Sequence, residues 1–456
     1  MKKVGRRKFI NSALVAALLG MGCMDSFAEA GMTHTSLDQN CLVTTNRTLD
    51  DVRDRLESPF MQELLTKTYQ SLVQRVRPDG YFQESLTGAY QGMFPRTVGG
   101  VGRLFLETGE LDKLEDMVNY CLEAMLDNDM ERIPHVIAPL EDKPASISDE
   151  DAQVQRYKIL SDMDQIDGQA HVIMAWAMLA MRRGETEFEN QTYPVVAKLM
   201  DRSTTEPYLS LYTGARIKLG LVCNVTLEHS RDGQYWHAYD FLTQSFVCSA
   251  LENMIEVAQR RQDMANAEKW ERRLGKLTTN IMQNMTRDFE GRKIFYEMIL
   301  PTGREPKPFP GMGWLNLAPI PAGWRGVDKQ VFKDTVDTWH RVARIEWDGP
   351  QMTSSDWLSD EDIAVYGRQF SNQVIGKVLG WDLVYCLRAG EYDRVCDMLD
   401  FIKQINTSEL YAEAFNYDTQ SGNWRLQDPG NGEQACWWCW AMTDIRQEVG
   451  LEALPK

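Results

Sequence analysis

Two carboxylates stand four residues apart in the run Thr226 to Asp240, where Glu228 and Asp232 are set among His229, Arg231, Tyr235, Trp236 and Tyr239. A carboxyl group shielded by aromatic rings and close to another carboxylate has its pKa raised, so it keeps a proton near neutral pH. Such a group suits proton donation to a leaving oxygen, as cleavage of a sugar acetal demands. Helix capping uses the same residue types, so the reading rests on the crowding of Arg, His, Tyr and Trp around the pair. A second candidate stretch lies near the C-terminus. Glu413 follows the apolar Leu410-Tyr411-Ala412, the chain passes the turn residues Ser421-Gly422, and Glu433 opens a helix carrying Trp437, Trp438 and Trp440. Three tryptophans so spaced point in different directions on a helix, so core is the default for each.

Further polar residues lie in other loops: Arg96 in Phe94-Pro95-Arg96-Thr97, Gln165 and Asp167 in Asp164 to Asp167, and Arg368 at the end of Asp356 to Arg368. His171 follows Asp167 by one helical turn, a spacing at which the two share a face, although a hydrogen-bonded core histidine fits equally well. Trp314, Trp324, Trp347 and Trp357 occupy Gly/Pro-rich loops, where aromatic platforms for sugar rings are expected.

The elements that must position these residues are helical. Between Asp240 and Gln259 the apolar residues Phe241, Leu242, Phe246, Val247, Ala250, Leu251, Met254, Ile255 and Ala258 recur three and four apart, which describes one buried helical face. Similar stretches begin near Val98, Gly168, Ser371 and Gln434, and alternating strand runs are scarce. Gly109, Gly184 and Gly390 each end an apolar stretch as a helix-terminating glycine before an amphipathic partner. The polar loops precede the apolar helices, and with Arg96, Asp167, Asp232, Arg368 and Glu433 as markers the gaps are 71, 65, 136 and 65 residues. The doubled gap hides one more unit behind the Pro/Gly-rich stretch 301–326. Six helical hairpins result, and closing them into a ring gives an all-α (α/α)6 toroid with every polar loop at one end. Arg96, Asp167, Asp232, Arg368 and Glu413 are then expected to meet in one concavity.

The remaining features restrict partners and location. The 456 residues carry 49 basic against 66 acidic side chains, a net charge of −17, which argues against nucleic-acid binding. Residues 1–30 form a charged head, an apolar run from Phe9 to Gly22, and a small-x-small site at Ala28-Glu29-Ala30; Arg6-Arg7 resembles a twin-arginine export signal. Export to the periplasm or outer surface is expected, with Cys23 as an alternative lipid anchor, and 31–456 as a single catalytic domain. The Phe9 to Gly22 run is too short to span a bilayer, and no later run is long and apolar enough for a membrane helix. Cys436-Trp437-Trp438-Cys439 lacks the context of a redox or zinc motif and is read as packed thiols; neither a metal nor a cofactor is expected.

Two families share parts of this pattern. The segment Glu228 to Asp232 resembles the E-S-G-W-D segment of family 63 α-glucosidases, whose final Asp is the general acid. Glu413-Ala-Phe-Asn-Tyr-Asp, Gly422 and Trp437 to Ala441 resemble both a second family 63 stretch and the H-E-S-F…W-F-A-W-A stretch of family 125 α-mannosidases, whose Glu is the general base. Gln165-Ile166-Asp167 is similar to the family 125 Q-x-D helix start. Here Ala412 stands where family 125 has histidine, and His229-Ser230-Arg231 fills the family 63 segment. The resemblance implies the six-hairpin glycosidase superfamily, with Asp232 as acid, Glu413 as base, and Glu228 and Glu433 as their respective competitors. Arg96 and Asp167 resemble binders of sugar hydroxyls. The ligand expected is an oligosaccharide or polysaccharide fragment, cleaved from an end with inversion. His229 and Arg231 would read an anionic sugar such as a uronate, unless Arg231 serves a salt bridge within its loop. Alternative readings are a non-catalytic carbohydrate-binding scaffold and a lyase or epimerase using Tyr, Arg and His171, His229 or His237.

Overall fold

The computed structural model describes residues 46–139, 157–162, 165–204, 219–224, 238–300, 307–343, 352, 356–366 and 372–455. Among them are fourteen α-helices: α1 (Leu49–Leu56), α2 (Pro59–Arg75), α3 (Pro95–Thr108), α4 (Leu111–Asp127), α5 (Ile166–Arg183), α6 (Glu187–Ser203) and α7 (Phe241–Arg260). They continue as α8 (Met264–Asn284), α9 (Pro319–Ala322), α10 (Lys329–Val342), α11 (Asp360–Tyr366), α12 (Gly376–Ala389), α13 (Tyr392–Ile405) and α14 (Gly432–Glu448).

Helices α3, α5, α7, α12 and α14 pack in ring order, with the 3-10 turn Trp314–Leu317 and α9 between α7 and α12, and α14 closes back on α3. Helix α7 is buried without a break from Phe241 to Glu252, as an inner wall helix must be when apolar neighbours surround it. An outer helix precedes each inner element: α2, α4, α6, α8, α10 and α13. Their burial is one-sided; α8 covers only Ala267, Trp270, Leu277 and Ile281. The architecture is the all-α (α/α)6 toroid expected from the repeat spacing. The expected inner-helix starts fall within five residues of the observed ones, and Gly109, Gly184 and Gly390 all take positive φ at helix ends.

The fourth inner element is the irregular one. Pro319 and Pro321 cannot donate backbone hydrogen bonds, so a 3-10 turn and one α-turn replace a long helix, ending at Gly323 with φ 65°. Ring closure needs close approach. A Cβ on Gly100 of α3 would lie 2.4 Å from Cys436 Sγ and 2.9 Å from the Trp437 ring of α14, so a larger residue would push the first and last hairpins apart.

Short strands run into several inner helices. They are β1 (Val136–Pro139), β2 (Tyr157–Ser161), β3 (Tyr239–Asp240), β4 (Thr286–Phe289), β5 (Arg292–Phe295), β6 (Met298–Leu300), β7 (Lys307–Pro308), β8 (Met312–Gly313), β9 (Asp356–Trp357), β10 (Gln373–Ile375), β11 (Ala414–Asp418) and β12 (Asn423–Gln427). All pairings are antiparallel, and β10–β11–β12 form a small sheet beside the starts of α12 and α14. Two to five residues give too little alternation to register in the sequence, which is why strand runs are scarce there. The seven described cysteines, Cys436 and Cys439 included, are free and buried.

One buried charge cluster ties three helices of the wall. Asp382 in α12 contacts His340 of α10 (Nε2–Oδ1 2.6 Å) and Arg394 of α13 (Nη2–Oδ2 3.1 Å). Burial alone would raise its pKa, but the interactions with His340 and Arg394 outweigh burial and lower it. Asp382→Asn is expected to destabilise the fold by about 3–5 kcal/mol at pH 7, read as a lower urea midpoint. Because the folded-state pKa is depressed, this stability exists above the unfolded carboxylate value of about 3.9 and is lost as pH falls through the folded value. The difference between variant and parent should therefore shrink below about pH 4.

Candidate active site

Four inner helices carry a charged residue at the same place, their second position: Arg96 in α3, Asp167 in α5, Lys377 in α12 and Glu433 in α14. All four thus stand at the N-terminal end of the ring. Carboxylates are favoured there and cations are not, so Arg96 and Lys377 require partners. Arg96 forms a two-pronged ion pair with Asp167, with Nη2–Oδ1 at 3.1 Å, and Lys377 Nζ lies 2.8 Å from Glu433 Oε1. Along α5, α3, α14 and α12 the sign alternates. Lys377 is buried, with its ammonium 4.8 Å from the Trp314 ring centre and 5.6 Å from that of Trp381. Burial lowers its pKa, against the pull of Glu433.

These side chains surround a cavity of about 360 Å3 whose wall includes Arg96, Lys377, Glu433, Glu84, Glu413, Tyr90, Phe94, His135 and Trp314. Glu413 immediately precedes β11. Its N–H donates to Gln427 O of β12 (2.9 Å) and its carbonyl accepts from Gly376 N at the start of α12 (2.7 Å), so two elements fix its backbone. Its Oε1 accepts from the Tyr90 hydroxyl at 2.8 Å, while Oε2 is shielded and has no hydrogen-bond partner among the described residues. Burial raises the Glu413 pKa, and the Tyr90 bond opposes that rise.

A second row stands behind Arg96. Asp167 is fully buried and also accepts from Asn224 Nδ2 at 2.6 Å. With its amide oxygen turned towards them, Gln165 accepts from Arg96 Nη1 (3.2 Å) and His135 Nε2 (3.1 Å). His135 Nδ1 lies 3.0 Å from Ser161 Oγ, and burial, followed by the Arg96 charge, lowers its pKa to about 4, which leaves it neutral. Asp240 caps α7 through Thr243 N (2.7 Å); burial and then the Asp167 charge raise its pKa to about 6. Asn224 and Ala238 pair with each other, and Asn224 Oδ1 also accepts from Ile166 N at 3.1 Å.

The described candidates divide clearly. Arg96, Trp314, Glu413 and Glu433 line the cavity; Gln165 and Asp167 support Arg96 from behind. His171 is corrected to a core residue: its ring lies 3.7 Å from that of Phe246 and 6.0 Å from that of Trp437, and burial lowers its pKa well below the usual value. One turn beyond Asp167 means about 5.4 Å further down the helix, below the cavity. Trp357 is also displaced from the expected platform, because β9 pairs with β8 and its ring meets Phe289 edge-on at 6.0 Å. Trp324 is buried against Phe241, and Trp437, Trp438 and Trp440 are core. Glu228, His229, Arg231, Asp232, Tyr235, Trp236, Trp347 and Arg368 lie outside the described residues.

Sequence reasoning missed Glu84, Tyr90, His135 and Lys377. Lys377 carried a legible signal, a lone cation inside the apolar run Val374 to Trp381. Glu84, in Tyr81-Phe82-Gln83-Glu84, has the aromatic setting of Asp232, but it precedes the polar loop Phe94 to Thr97 that leads into the first apolar helix. The described residues include one His, Asp and Cys group compact enough to hold a metal, His340, Asp382 and Cys386; Arg394 already engages its carboxylate, and it lies outside the cavity lining.

Neither family models nor curated proteins match the chain. Solved structures do. A bacterial glucoamylase complexed with acarbose aligns at TM-score 0.59 and 14% identity over 87% of this chain, which spans 58% of the glucoamylase length. A metal-independent α-mannosidase of Streptococcus pneumoniae, solved with α-1,6-mannobiose, aligns at TM-score 0.58 and 13% identity, covering 88% of this chain and 97% of its own. A glycosidase in complex with glucose gives TM-score 0.56 and 10% identity, with coverage of 89% and 98%. The fold is that of the six-hairpin (α/α)6 glycosidases.

Tyr90→Phe removes the donor that opposes the upward shift at Glu413. The Glu413 carboxyl titration, followed by carbon NMR, should move to higher pH by about 0.5–1 unit, the equivalent of one net hydrogen bond. An unmoved titration would separate Tyr90 from Glu413.

Proposed function

We propose that the chain is a glycoside hydrolase that removes sugar from the end of an oligosaccharide or polysaccharide fragment with inversion, using Glu413 as general base and Asp232 as general acid. The observation that carries this reading is the Oε2 of Glu413, which has no hydrogen-bond partner among the described residues, at the wall of a polar, aromatic-edged cavity. A buried carboxylate oxygen without a donor is unfavourable unless it serves something that arrives, and a water held for attack on an anomeric carbon is such a guest. Glu433 ranks behind Glu413 because Lys377 occupies its Oε1. Glu228 remains the second choice for the acid.

The supporting geometry comes from the ring. By its place in the sequence Asp232 falls in the third hairpin, ahead of α7, whereas Glu413 falls in the sixth, ahead of α14. Carboxylates reaching in from well-separated hairpins leave room for sugar and water between them, and inversion calls for about 6.5–9.5 Å. The cavity is near the lower end of the usual range for small-molecule sites, which suits a chain end. Arg96 and Trp314 supply a charged donor and an aromatic face for the ring. His229, Arg231, Tyr235, Trp236 and Arg368 are further proposed contacts. In the described wall Asp167 pairs with Arg96 and Glu433 with Lys377, an arrangement suited to a neutral sugar; an anionic one would depend on His229 and Arg231. The leader at 1–30 adds the proposal of an exported enzyme, with Cys23 as the alternative anchor.

The test is a panel of aryl glycosides and oligosaccharides with the native protein, Asp232→Asn and Glu413→Gln. Each variant should lose about 10²–10⁴-fold in kcat. Proton NMR of early turnover should show the anomer opposite to that of the substrate; a retained anomer, or near-normal turnover by Glu413→Gln, would overturn the assignment.

A further inference from the structure

Glu84 lies between α2 and α3, is 3% exposed, and reaches the cavity from the opposite end of the chain to α14. Its backbone carbonyl accepts from Gly432 N at 2.7 Å and its Oε1 accepts from Glu433 N at 2.5 Å, so one residue satisfies the first two N–H groups of α14. Its Oε2 accepts from the Thr97 hydroxyl of α3. Gly432 is needed in this socket, since a Cβ there would come within 2.6 Å of the Phe82 ring and 2.9 Å of Glu84 O. The first turn of α14 then grips Lys377 twice: Glu433 Oε1 contacts Nζ at 2.8 Å, and Gln434 Oε1 accepts from Lys377 N at 2.9 Å. A continuous path runs from Glu84 through α14 to the ammonium between Trp314 and Trp381.

We propose that Glu84 is a positioning residue of the cavity: by seating the first turn of α14 it sets where Glu433 holds Lys377, and gain or loss of its proton alters that setting. The titratable or charged groups facing Glu84 are Glu433 and Cys436 of α14 and Arg75 of α2, whose Nη1 lies 3.3 Å from Glu84 O; α3 contributes the neutral Thr97. Burial and then the Glu433 charge raise the Glu84 pKa to about 7, while Thr97, the Glu433 N–H and Arg75 act in the opposite direction. The Cys436 thiol is raised well above its usual value by burial and stays neutral here. Below about pH 7 Glu84 is therefore neutral and Lys377 faces Glu433 alone. Above it, a second buried carboxylate repels Glu433 across the first turn of α14, with Arg75 opposing it from α2.

The decisive readout needs no substrate. The indole N–H resonances of Trp314 and Trp381, assigned with Trp→Phe variants, should shift in the native protein with a midpoint near pH 7. In Glu84→Gln, whose amide oxygen still accepts from Glu433 N but cannot ionise, they should stay still. Thr97→Val removes a hydroxyl that favours the ionised form, so it should move the midpoint upward, and it serves as the test should Glu84→Gln fold poorly. A transition unchanged in Glu84→Gln or in Thr97→Val would overturn the proposal. A second arm rests on the hydrolase reading: with 4-nitrophenyl α-D-glucopyranoside or α-D-mannopyranoside, native kcat/KM should fall about fivefold from pH 7 to 8, and Glu84→Gln should move this limb to higher pH. An unmoved limb counts against Glu84, whereas absence of turnover on any glycoside overturns the hydrolase reading and leaves the indole titration to decide the proposal.

Discussion

Two cations held at the positive ends of two helices are the constraint around which the cavity is arranged. At the second positions of α3 and α12, Arg96 and Lys377 each oppose the helix dipole, by about 0.3–1 kcal/mol at an exposed site, and burial adds to the penalty. They persist because Asp167 and Glu433, at the same position of adjacent helices, complete the pairs. That match requires neighbouring inner helices to begin at one level. A closed ring of similar hairpins supplies the level, and the close contact at Gly100 lets the first and last hairpins meet.

The same ring gives three carboxyl groups different partners. Glu433 is paired with a cation, Glu413 has one oxygen satisfied and the other without a partner among the described residues, and Glu84 receives neutral donors from Thr97 and a backbone N–H. Burial and the Glu433 charge raise both Glu413 and Glu84, and each is opposed by a hydroxyl, Tyr90 for Glu413 and Thr97 for Glu84.

Much of this was legible in the sequence, and the omissions share a physical reason. Helix starts followed from apolar spacing, and Arg96, Glu413 and Glu433 followed from polar residues in front of apolar helices. His171 was misplaced because sharing a helical face with Asp167 says nothing about depth, and one turn separates the cavity from the core. Glu84 and Tyr90 reach the cavity only through a contact between segments more than 300 residues apart in the chain, which no local pattern encodes. The fourth inner element was located only to a stretch, since its prolines break the period on which the repeat was recognised.

The central claim is that Glu413 activates the attacking water. Glu413→Ala should lose turnover of an activated aryl glycoside and regain it with sodium azide, a small nucleophile that needs no base, giving a glycosyl azide of inverted configuration. Rescue of Glu433→Ala instead, or a glycosyl azide that keeps the configuration of the substrate, would contradict it.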